Sequence, residues 1–384
     1  MLKFRLYPNK NTEFKLLETL NLCRQMYNLL LDELQNQKII DKAMIQGLIP
    51  DIKICDPNFN KVYSKVLQYE SYKLFSNLRS LSNLKKSNRK VGSLRFKGKG
   101  SFKTFTYNQS GFKINFTGKR HNILRLSKIG DIPIRCHRNI NGKIKEVVIK
   151  REPSGKWFAF ICEDILIEKH NENIKNVVCI DVGLINIVHD SDNNKIVNPR
   201  HLNKYAVRLA HLQRIMSKKK IGSKNREKMG IRLARQYEKL GNTRNDFLHK
   251  LSRYYINNYD AIGMEDMPVN KMVKGNLAKS ILDASWGKLR QFMFYKAESA
   301  GKTFITVDYR GTTLRCSQCG TKIKKELRDR IHKCNYCGFE AQRDYNSALE
   351  IKRLTLIEIG QELPESTHAE MGALPAMATP VCET

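Results

Sequence analysis

Near the C-terminus, Cys316, Cys319, Cys334 and Cys337 form two Cys-x-x-Cys knuckles separated by fourteen residues. Each knuckle sets two thiols on one side of a tight turn, and a hairpin between them brings the second pair round to face the first, which is the layout of a tetrahedral zinc ribbon. Gly320 and Gly338 each follow a knuckle's second cysteine and relieve the backbone where it turns back under the metal. The competing reading, ordinary buried thiols that pair by accident, does not account for the double spacing. His332 lies two residues before Cys334, too close for the usual ligand arrangement, and reads as a solvated or phosphate-facing side chain. Asp344, in Arg343-Asp344-Tyr345-Asn346, follows Cys337 by seven residues and reads as an acidic helix start.

Charge indicates what such a ribbon would touch. Lys and Arg number 69 against 37 Asp and Glu, a formal net charge of +32, far more than solubility needs and typical of chains that neutralise phosphate. From Ser71 to Gly130 there is no acidic residue, while fifteen Lys and Arg are interleaved with Phe96, Phe102, Phe105, Tyr107 and Phe112. Cations release counterions from a nucleic-acid backbone and flat rings stack on unpaired bases, a combination that membranes do not call for. Candidate contacts here are Arg95, Lys97, Lys99, Lys103, Phe105 and Tyr107. A second block on a largely helical stretch carries Lys218, Lys219, Lys220, Lys224 and Arg226. By itself that block is an ordinary charged helix face.

A length of 384 residues exceeds one simple core and implies two or three domains. No segment approaches ~18 consecutive apolar residues, so no membrane span is expected. The start of the chain lacks the apolar core of a secretory signal, which points to a reducing, cytoplasmic compartment. Cys23, Cys55, Cys136, Cys162, Cys179 and Cys382 follow no pattern and read as core or incidental thiols rather than disulfides.

The expected fold class is α/β and multidomain. Residues 2–7 read as a strand, and Thr12 with Glu13 opens a helical stretch to about Ser82, with Phe14, Leu17, Leu20, Leu22, Met26, Leu29, Leu30 and Leu34 on its apolar face. Short alternating runs at Phe102–Tyr107, Glu146–Lys150 and Trp157–Cys162 predict a small β-barrel whose first strand is residues 2–7, making the helices an insertion. From Asn176 the pattern changes. Val177-Val178-Cys179-Ile180 is a strand buried on both faces that ends in Asp181, and Ala261–Met264 is another that ends in Glu265 and Asp266. Long helices are expected over 202–217, 223–259 and 285–300, with a strand at 303–307 and a last helix opened by Asp344.

Asp181, Glu265 and Asp344 thus occupy two strand ends and a helix start of one α/β unit. Clustered carboxylates of this kind hold divalent cations, and two Mg²⁺ ions about 4 Å apart suit phosphodiester hydrolysis without a protein nucleophile. Asp181 would bridge both ions, with Glu265 and Asp344 holding one each. From spacing alone, each acid is more often a solvated surface carboxylate than a metal ligand. Asp266 faces the other side of the strand end and is expected to pair with a nearby lysine.

The sequence resembles the TnpB proteins of insertion sequences, relatives of the type V CRISPR effectors. The resemblance runs along nearly the whole chain and is carried by Phe4-Arg5-Leu6-Tyr7-Pro8, Cys23-Arg24 with Tyr27-Asn28, Phe105 to Lys113, Ile180-Asp181-Val182-Gly183-Leu184, Lys218 to Glu227, Asp246 to Leu251, Met264-Glu265-Asp266, Cys316-Ser317-Gln318-Cys319-Gly320 and Arg343-Asp344-Tyr345-Asn346. It implies an RNase H-like (RuvC) nuclease over 174–311 and 341–357 with an inserted zinc ribbon at 312–340. It also implies an OB-like wedge barrel over 1–10 and 86–168, interrupted by a helical recognition lobe at 11–85. Residues 358–384 read as a disordered tail whose DNA doubles as guide-RNA sequence. The activity implied is RNA-guided cleavage of double-stranded DNA beside a short flanking motif, with a guide RNA from the element's own end, two catalytic Mg²⁺ and one structural Zn²⁺. Motif by motif, the family's nuclease acids fall on Asp181, Glu265 and Asp344 and its zinc ligands on the four cysteines. Tyr27 and Asn28 match positions near the grip on the flanking motif, although a Tyr-Asn pair on a helix is commonly packing and capping.

Two departures stand out. Gln342 stands where many members have an acid, and Gly311-Thr312-Thr313-Leu314-Arg315 is looser than the usual form. Neither removes a core ligand, whereas relatives turned regulators tend to lose the acids. The alternatives are a non-cleaving nucleic-acid-binding regulator, an accessory transposition protein, a self-sufficient transposase and a junction resolvase.

Overall fold

Leu2-Lys3-Phe4-Arg5-Leu6 alternates apolar and basic residues with a period of two, and it forms β1 (Leu2–Leu6) with Phe4 and Leu6 in the core. On the opposite side the Lys3 ammonium lies 4.1 Å from the centre of the Phe158 ring and the Arg5 guanidinium 5.1 Å from it. Pro8 stops the strand and Asn9 starts a helix, its Oδ1 accepting the Thr12 amide at 2.8 Å. The helix α1 (Lys10–Asn36) therefore opens ahead of Thr12, where the sequence suggested a start. Its buried stripe is Leu16, Leu20, Cys23, Tyr27, Leu30 and Leu34. Phe14, Leu17 and Leu29, expected on that stripe, are exposed instead.

The computed structural model describes residues 1–36, 41–118, 120–165, 174–326 and 328–360, which fall into two units, Met1–Leu166 and Ile167–Thr384. In the first unit, α2 (Lys42–Cys55), a 3-10 turn (Pro57–Lys61) and α3 (Ser64–Lys86) follow α1. Then come β2 (Thr104–Asn108), β3 (Phe112–Asn115), β4 (Asn122–Leu126), β5 (Gly130–Arg135), β6 (Lys143–Arg151) and β7 (Trp157–Asp164). Their sheet runs β2-β6-β7-β1-β5-β4-β3 and is antiparallel throughout. The N-terminal strand thus sits inside a sheet otherwise made after residue 100, with Leu2 opposite Ile161. The sheet is nearly barrel-shaped, in line with the small β-barrel expected, although among the described residues no pairing joins β2 to β3. Helices and sheet share one core, which includes Leu20, Tyr27, Val66, Phe105, Tyr107, Ile134 and Trp157.

The second unit begins with β8 (Val177–Asp181), β9 (Asn186–Asp190) and β10 (Lys195–Val197), then α4 (His201–Ser217) and α5 (Lys224–Asn258). Next come β11 (Ala261–Glu265), the short helices α6 (Val269–Met272) and α7 (Ala278–Ala284), α8 (Trp286–Ser299) and β12 (Thr303–Val307). The hairpin β13 (Ile331–Lys333) and β14 (Glu340–Gln342) leads into α9 (Arg343–Ile359). The five-stranded sheet has the order β10-β9-β8-β11-β12, with β8, β11 and β12 parallel and β9 and β10 antiparallel.

Both faces of this sheet are covered, as the unbroken apolar runs require. Val178, Ile180, Ile262 and Met264 face α5 and α8, meeting Leu251, Tyr255, Leu289 and Met293. Val177, Cys179 and Ala261 face α9, meeting Ile351 and Leu356. Gly263 lies on this second face, and a Cβ there would fall on the Thr355 hydroxyl and the Cys179 sulfur, so α9 sits closer to the strands than any larger residue would permit. α9 continues to Ile359, two residues into the tail expected from 358; the rest of that tail, residues 361–384 with Cys382, lies outside the described residues. Among the described residues no helix is long and apolar enough to cross a membrane.

Candidate active site and cysteine centre

Register brings the first two acids together. β8 and β11 are parallel neighbours with Ile180 opposite Met264, so the next positions, Asp181 and Glu265, end adjacent strands on the same face. On the other side of β8, Asp181 is opposite His189, whose ring stacks on Tyr345 with centroids 5.8 Å apart. Tyr345 adjoins Asp344 in the first turn of α9, so the third acid arrives on the face that already holds the other two.

The electrostatics follow from that crowding. Burial first, then the negative charges of Glu265 and Asp344, push the Asp181 carboxyl well above the ordinary carboxylate range, against the pull of Arg343 and of its hydrogen bond with the Val182 backbone. Glu265 is 5 % exposed, and its desolvation raises it too, opposed by a hydrogen bond donated by the Thr312 hydroxyl to Oε1 at 2.5 Å. Asp344 is partly exposed and receives the Arg343 guanidinium at 3.1 Å. A face on which two acids add to the burial that raises a third is short of positive charge, and hard oxygen donors in that state suit a divalent cation. Asp266 points elsewhere and pairs with Arg290 on α8, not with a lysine.

The four cysteines are gathered more tightly. Among the described residues theirs is the one group of three or more His, Cys, Asp or Glu whose ligand atoms all lie within 4.8 Å of one another. Cys316 and Cys337 are 3.6 Å apart at sulfur, and Cys319 and Cys334 are 3.5 Å apart. Four thiolates bonded at ~2.3 Å to a tetrahedral ion would be about 3.8 Å apart, so the cluster can close around one metal ion with little movement. The knuckles are built alike: Gly320 N–H donates to Cys316 O, and Gly338 N–H to Cys334 O, each at 2.9 Å. Gly320 and Gly338 have φ of 74° and 76°, the left-handed conformation their positions predicted. His332 is fully buried rather than solvated, tilted against Phe339, with ring nitrogens that find no hydrogen-bond partner. Burial, then nearby Lys325, depresses it to about 4.

The proposed nucleic-acid contacts divide sharply. Arg95, Lys99, Lys103, Lys218, Lys219, Lys220 and Lys224 are exposed, and Lys97 is half-buried. Tyr27, Phe105 and Tyr107 are at most 1 % exposed, which corrects Phe105 and Tyr107 as stacking platforms, because that aromatic bulk serves the core, and places Tyr27, expected near the grip on the flanking motif, inside the core as well. The Tyr27 hydroxyl accepts from Asn77 at 3.1 Å. Asn28 holds the backbone of Lys97 from both sides, accepting its N–H at 2.8 Å and donating to its carbonyl at 3.1 Å, and lines a cavity of about 790 Å³ with Arg24, Leu29 and Phe96. Arg226 is spent on the turn between α4 and α5, donating to Met216 O at 2.9 Å and Lys219 O at 3.0 Å.

Two residues at the site went unread in the sequence. Thr312 has no motif of its own to mark it as the partner of Glu265, and Asn346, though inside a motif, gives no sign that it clamps the first knuckle. Its side chain is fully buried, accepts Ser317 N–H at 3.0 Å and donates to Arg315 O at 2.7 Å.

Family models match three parts of the chain: one described as "Probable transposase" over residues 153–276, a "Cas12f1-like, TNB domain" over 286–351, and a "Helix-turn-helix domain" of the same transposase group over 1–37. A Streptomyces pristinaespiralis protein named as an RNA-guided DNA endonuclease is 35% identical over 209 residues, covering 53% of this chain and 51% of its own length. InsQ of Escherichia coli (strain K12), named likewise, is 28% identical over 274 residues, 67% of each chain. The chain is similar in sequence to this transposase group. Among solved structures, a Cas12f1-sgRNA-target DNA complex matches with a TM-score of 0.60 at 14% identity, covering 90% of this chain and 83% of that one, a likeness of fold. The match spans about half the length of the Streptomyces relative and about two thirds of InsQ. The residues under the helix-turn-helix model take another form in this chain, one strand and one long helix.

Proposed function

We propose that the chain is an RNA-guided DNA endonuclease of an insertion sequence, hydrolysing phosphodiesters at Asp181, Glu265 and Asp344 beside a short flanking motif and so supporting retention and transposition of its element. The observation that carries this reading is the three-acid face, where Asp181 is raised by the charges of its two neighbours. The strand order, with the first three strands antiparallel and the last two parallel to the first, supports an RNase H-like nuclease interrupted by the ribbon. The names of the matched relatives and the Cas12f1 fold point the same way.

Two Mg²⁺ ions held by these acids would activate the attacking water and stabilise the departing oxygen. The chain's own part is to hold the carboxylates ready. Parallel register fixes Asp181 beside Glu265, Thr312 takes up one oxygen of Glu265, and Arg343 steadies Asp344. The cysteine centre would hold one structural Zn²⁺. Exposed Arg95, Lys99 and Lys103, and Lys218, Lys219, Lys220 and Lys224 at the tip of the α4–α5 pair, are assigned to phosphates of the guide RNA and target duplex. The sheet of the first unit is read as an OB-like wedge and its helices as the recognition lobe. Asn28, beside its cavity, is the candidate for flanking-motif contact.

The test is to express the chain with the RNA of its own element, sequence the RNA that copurifies, and challenge the complex with plasmid libraries carrying randomised flanks, with and without Mg²⁺. Cutting that needs Mg²⁺ and a defined flank is expected, lost in Asp181→Ala and Glu265→Ala while RNA association persists. RNA association with no metal-dependent cutting in the unaltered chain would make it a non-cleaving regulator.

A further inference from the structure

We propose that Thr312 and Asn346 are positioning residues through which the cysteine ribbon sets the acid site, so that the affinity of the carboxylates for a divalent cation depends on the ribbon being closed. The inference rests on reading Asp181, Glu265 and Asp344 as cation ligands.

The first connection runs to Glu265. Thr312 is 2 % exposed and stands four residues before Cys316. The amides of Leu314 and Arg315 both return to Gly311 O, at 3.0 and 2.9 Å, so residues 311–315 form one turn that enters the first knuckle without slack. Within that turn the Thr312 hydroxyl reaches Glu265 Oε1 at 2.5 Å and Tyr309 O at 3.1 Å. One hydroxyl carries one proton, and an ionised carboxylate is the stronger acceptor. Glu265 therefore keeps one oxygen occupied and offers the other, in an orientation inherited from the knuckle.

The second connection runs to Asp344. Asn346 lies two residues further along α9, and its amide grips the chain on both sides of Cys316, at Arg315 O and Ser317 N. Only one orientation of that amide satisfies both partners, since the carbonyl must accept and the NH₂ must donate. The far side of the ribbon adds to this, because Arg343 N–H donates to Arg330 O at 2.9 Å and its guanidinium to Asp329 O at 3.0 Å. One knuckle thus connects through a single hydrogen bond to the acid on β11 and through a two-ended clamp to the acid on α9. Both are placed where they fix carboxylates, and groups that orient metal ligands commonly change affinity by 10- to 100-fold when removed.

The experiment measures Mn²⁺ binding to the full-length, zinc-loaded chain by electron paramagnetic resonance, without substrate, alongside zinc content. Thr312→Val keeps the volume and removes the donor; it should weaken Mn²⁺ binding about tenfold or more with zinc unchanged, while Thr312→Ser stays within about threefold of the parent. Asn346→Ala should weaken Mn²⁺ binding by a similar factor. Parental affinity in Thr312→Val would overturn the proposal, as would Thr312→Ser failing as badly as Thr312→Val, since bulk rather than the hydroxyl would then matter. Should Thr312→Val not fold, Thr312→Ala against Thr312→Ser carries the same expectation. Asp181→Ala separates the two readings. If it abolishes Mn²⁺ binding while Thr312→Val does nothing, the brace alone fails; if it leaves binding intact, the acid site fails and the brace falls with it.

Discussion

The cysteine centre and the acid face are neighbours in one unit, yet they are assembled to different degrees. Four sulfurs already lie within 4.8 Å of one another, whereas the three carboxylates crowd closely enough to raise Asp181 without forming such a group. The chemistry of the donors explains the contrast. Thiols are neutral until a metal takes their protons, so hydrogen-bonded knuckles can hold them together at little cost. Ordinary carboxylates are already ionised at neutral pH, repel one another and resist burial, which keeps three of them from gathering as tightly as the thiols.

The contrast is tested most severely at Asp181. Asp181→Ala should lower Mg²⁺-dependent cutting by at least about a thousandfold, equivalent to about 4 kcal/mol, as expected for loss of a shared ligand. Asp181→Asn without metal should raise thermal stability instead. Its carboxyl is raised in the folded state, so wild-type stability falls as pH climbs through that raised value, and the advantage of Asn should be largest at alkaline pH and shrink on acidification. An Asn variant no more stable than the parent at pH 8, by differential scanning calorimetry, would mean that the acids are not under strain.

At the other centre Cys334→Ser should release zinc, measured by a colorimetric chelator, and loosen the start of α9, seen as faster amide exchange at Asp344 to Asn346. Unchanged zinc content would remove Cys334 from the ligand set. Next in size, Gly263→Ala should destabilise the second unit by about 2 kcal/mol through overpacking against Thr355 and Cys179, read from urea unfolding. It should reduce cutting while leaving zinc in place, since it disturbs α9 over the strands and not the knuckles.

A buried acid of the first unit serves as an outside reference. Glu70, desolvated but paired with Lys73 at 3.1 Å, is raised to about 7. Its contribution is fully present below the unfolded carboxylate range and is lost as pH rises through about 7. Glu70→Gln should flatten that loss, by at most about 3 kcal/mol between pH 5 and 8, in unfolding followed by Trp157 fluorescence. The smallest effect is expected from Lys218→Ala, Lys219→Ala and Lys220→Ala combined, which should lower the slope of log affinity for RNA against log salt by about one for each phosphate these lysines neutralise and leave both centres unchanged.

What could be read in advance follows the same division. Val177-Val178-Cys179-Ile180-Asp181 and Ala261 to Glu265 were legible because strands covered on both faces are unbroken apolar runs, and an acid closing such a run stands out. The knuckles were legible from spacing alone. On α1, Leu20, Leu22, Met26, Leu30 and Leu34 were read correctly as buried, whereas Phe14, Leu17 and Leu29 are as apolar as Leu16 yet exposed, and only tertiary packing selects among them. Asn9 was passed over because Thr12 is an equally good cap by residue type. Phe105 and Tyr107 lie near lysines in sequence but inside the core in space, as Tyr27 does on α1, and local composition carries no record of which side of a strand or helix a ring occupies. His332 misled in the same way, flanked by charged residues yet enclosed. Thr312 and Asn346 were silent because their partners lie 47 and about 30 residues away, at distances no local pattern encodes.

The seat of β1 between β7 and β5 bears on how the polypeptide is made. Leu2 leaves the ribosome early, yet its partner Ile161 is not synthesised until most of the first unit has been translated. At ~5–20 residues per second, that is roughly 8 to 30 s during which a nascent hydrophobic segment has no docking site. Lys3 and Arg5, alternating with its apolar residues, give that waiting segment a charge that discourages pairing between nascent chains.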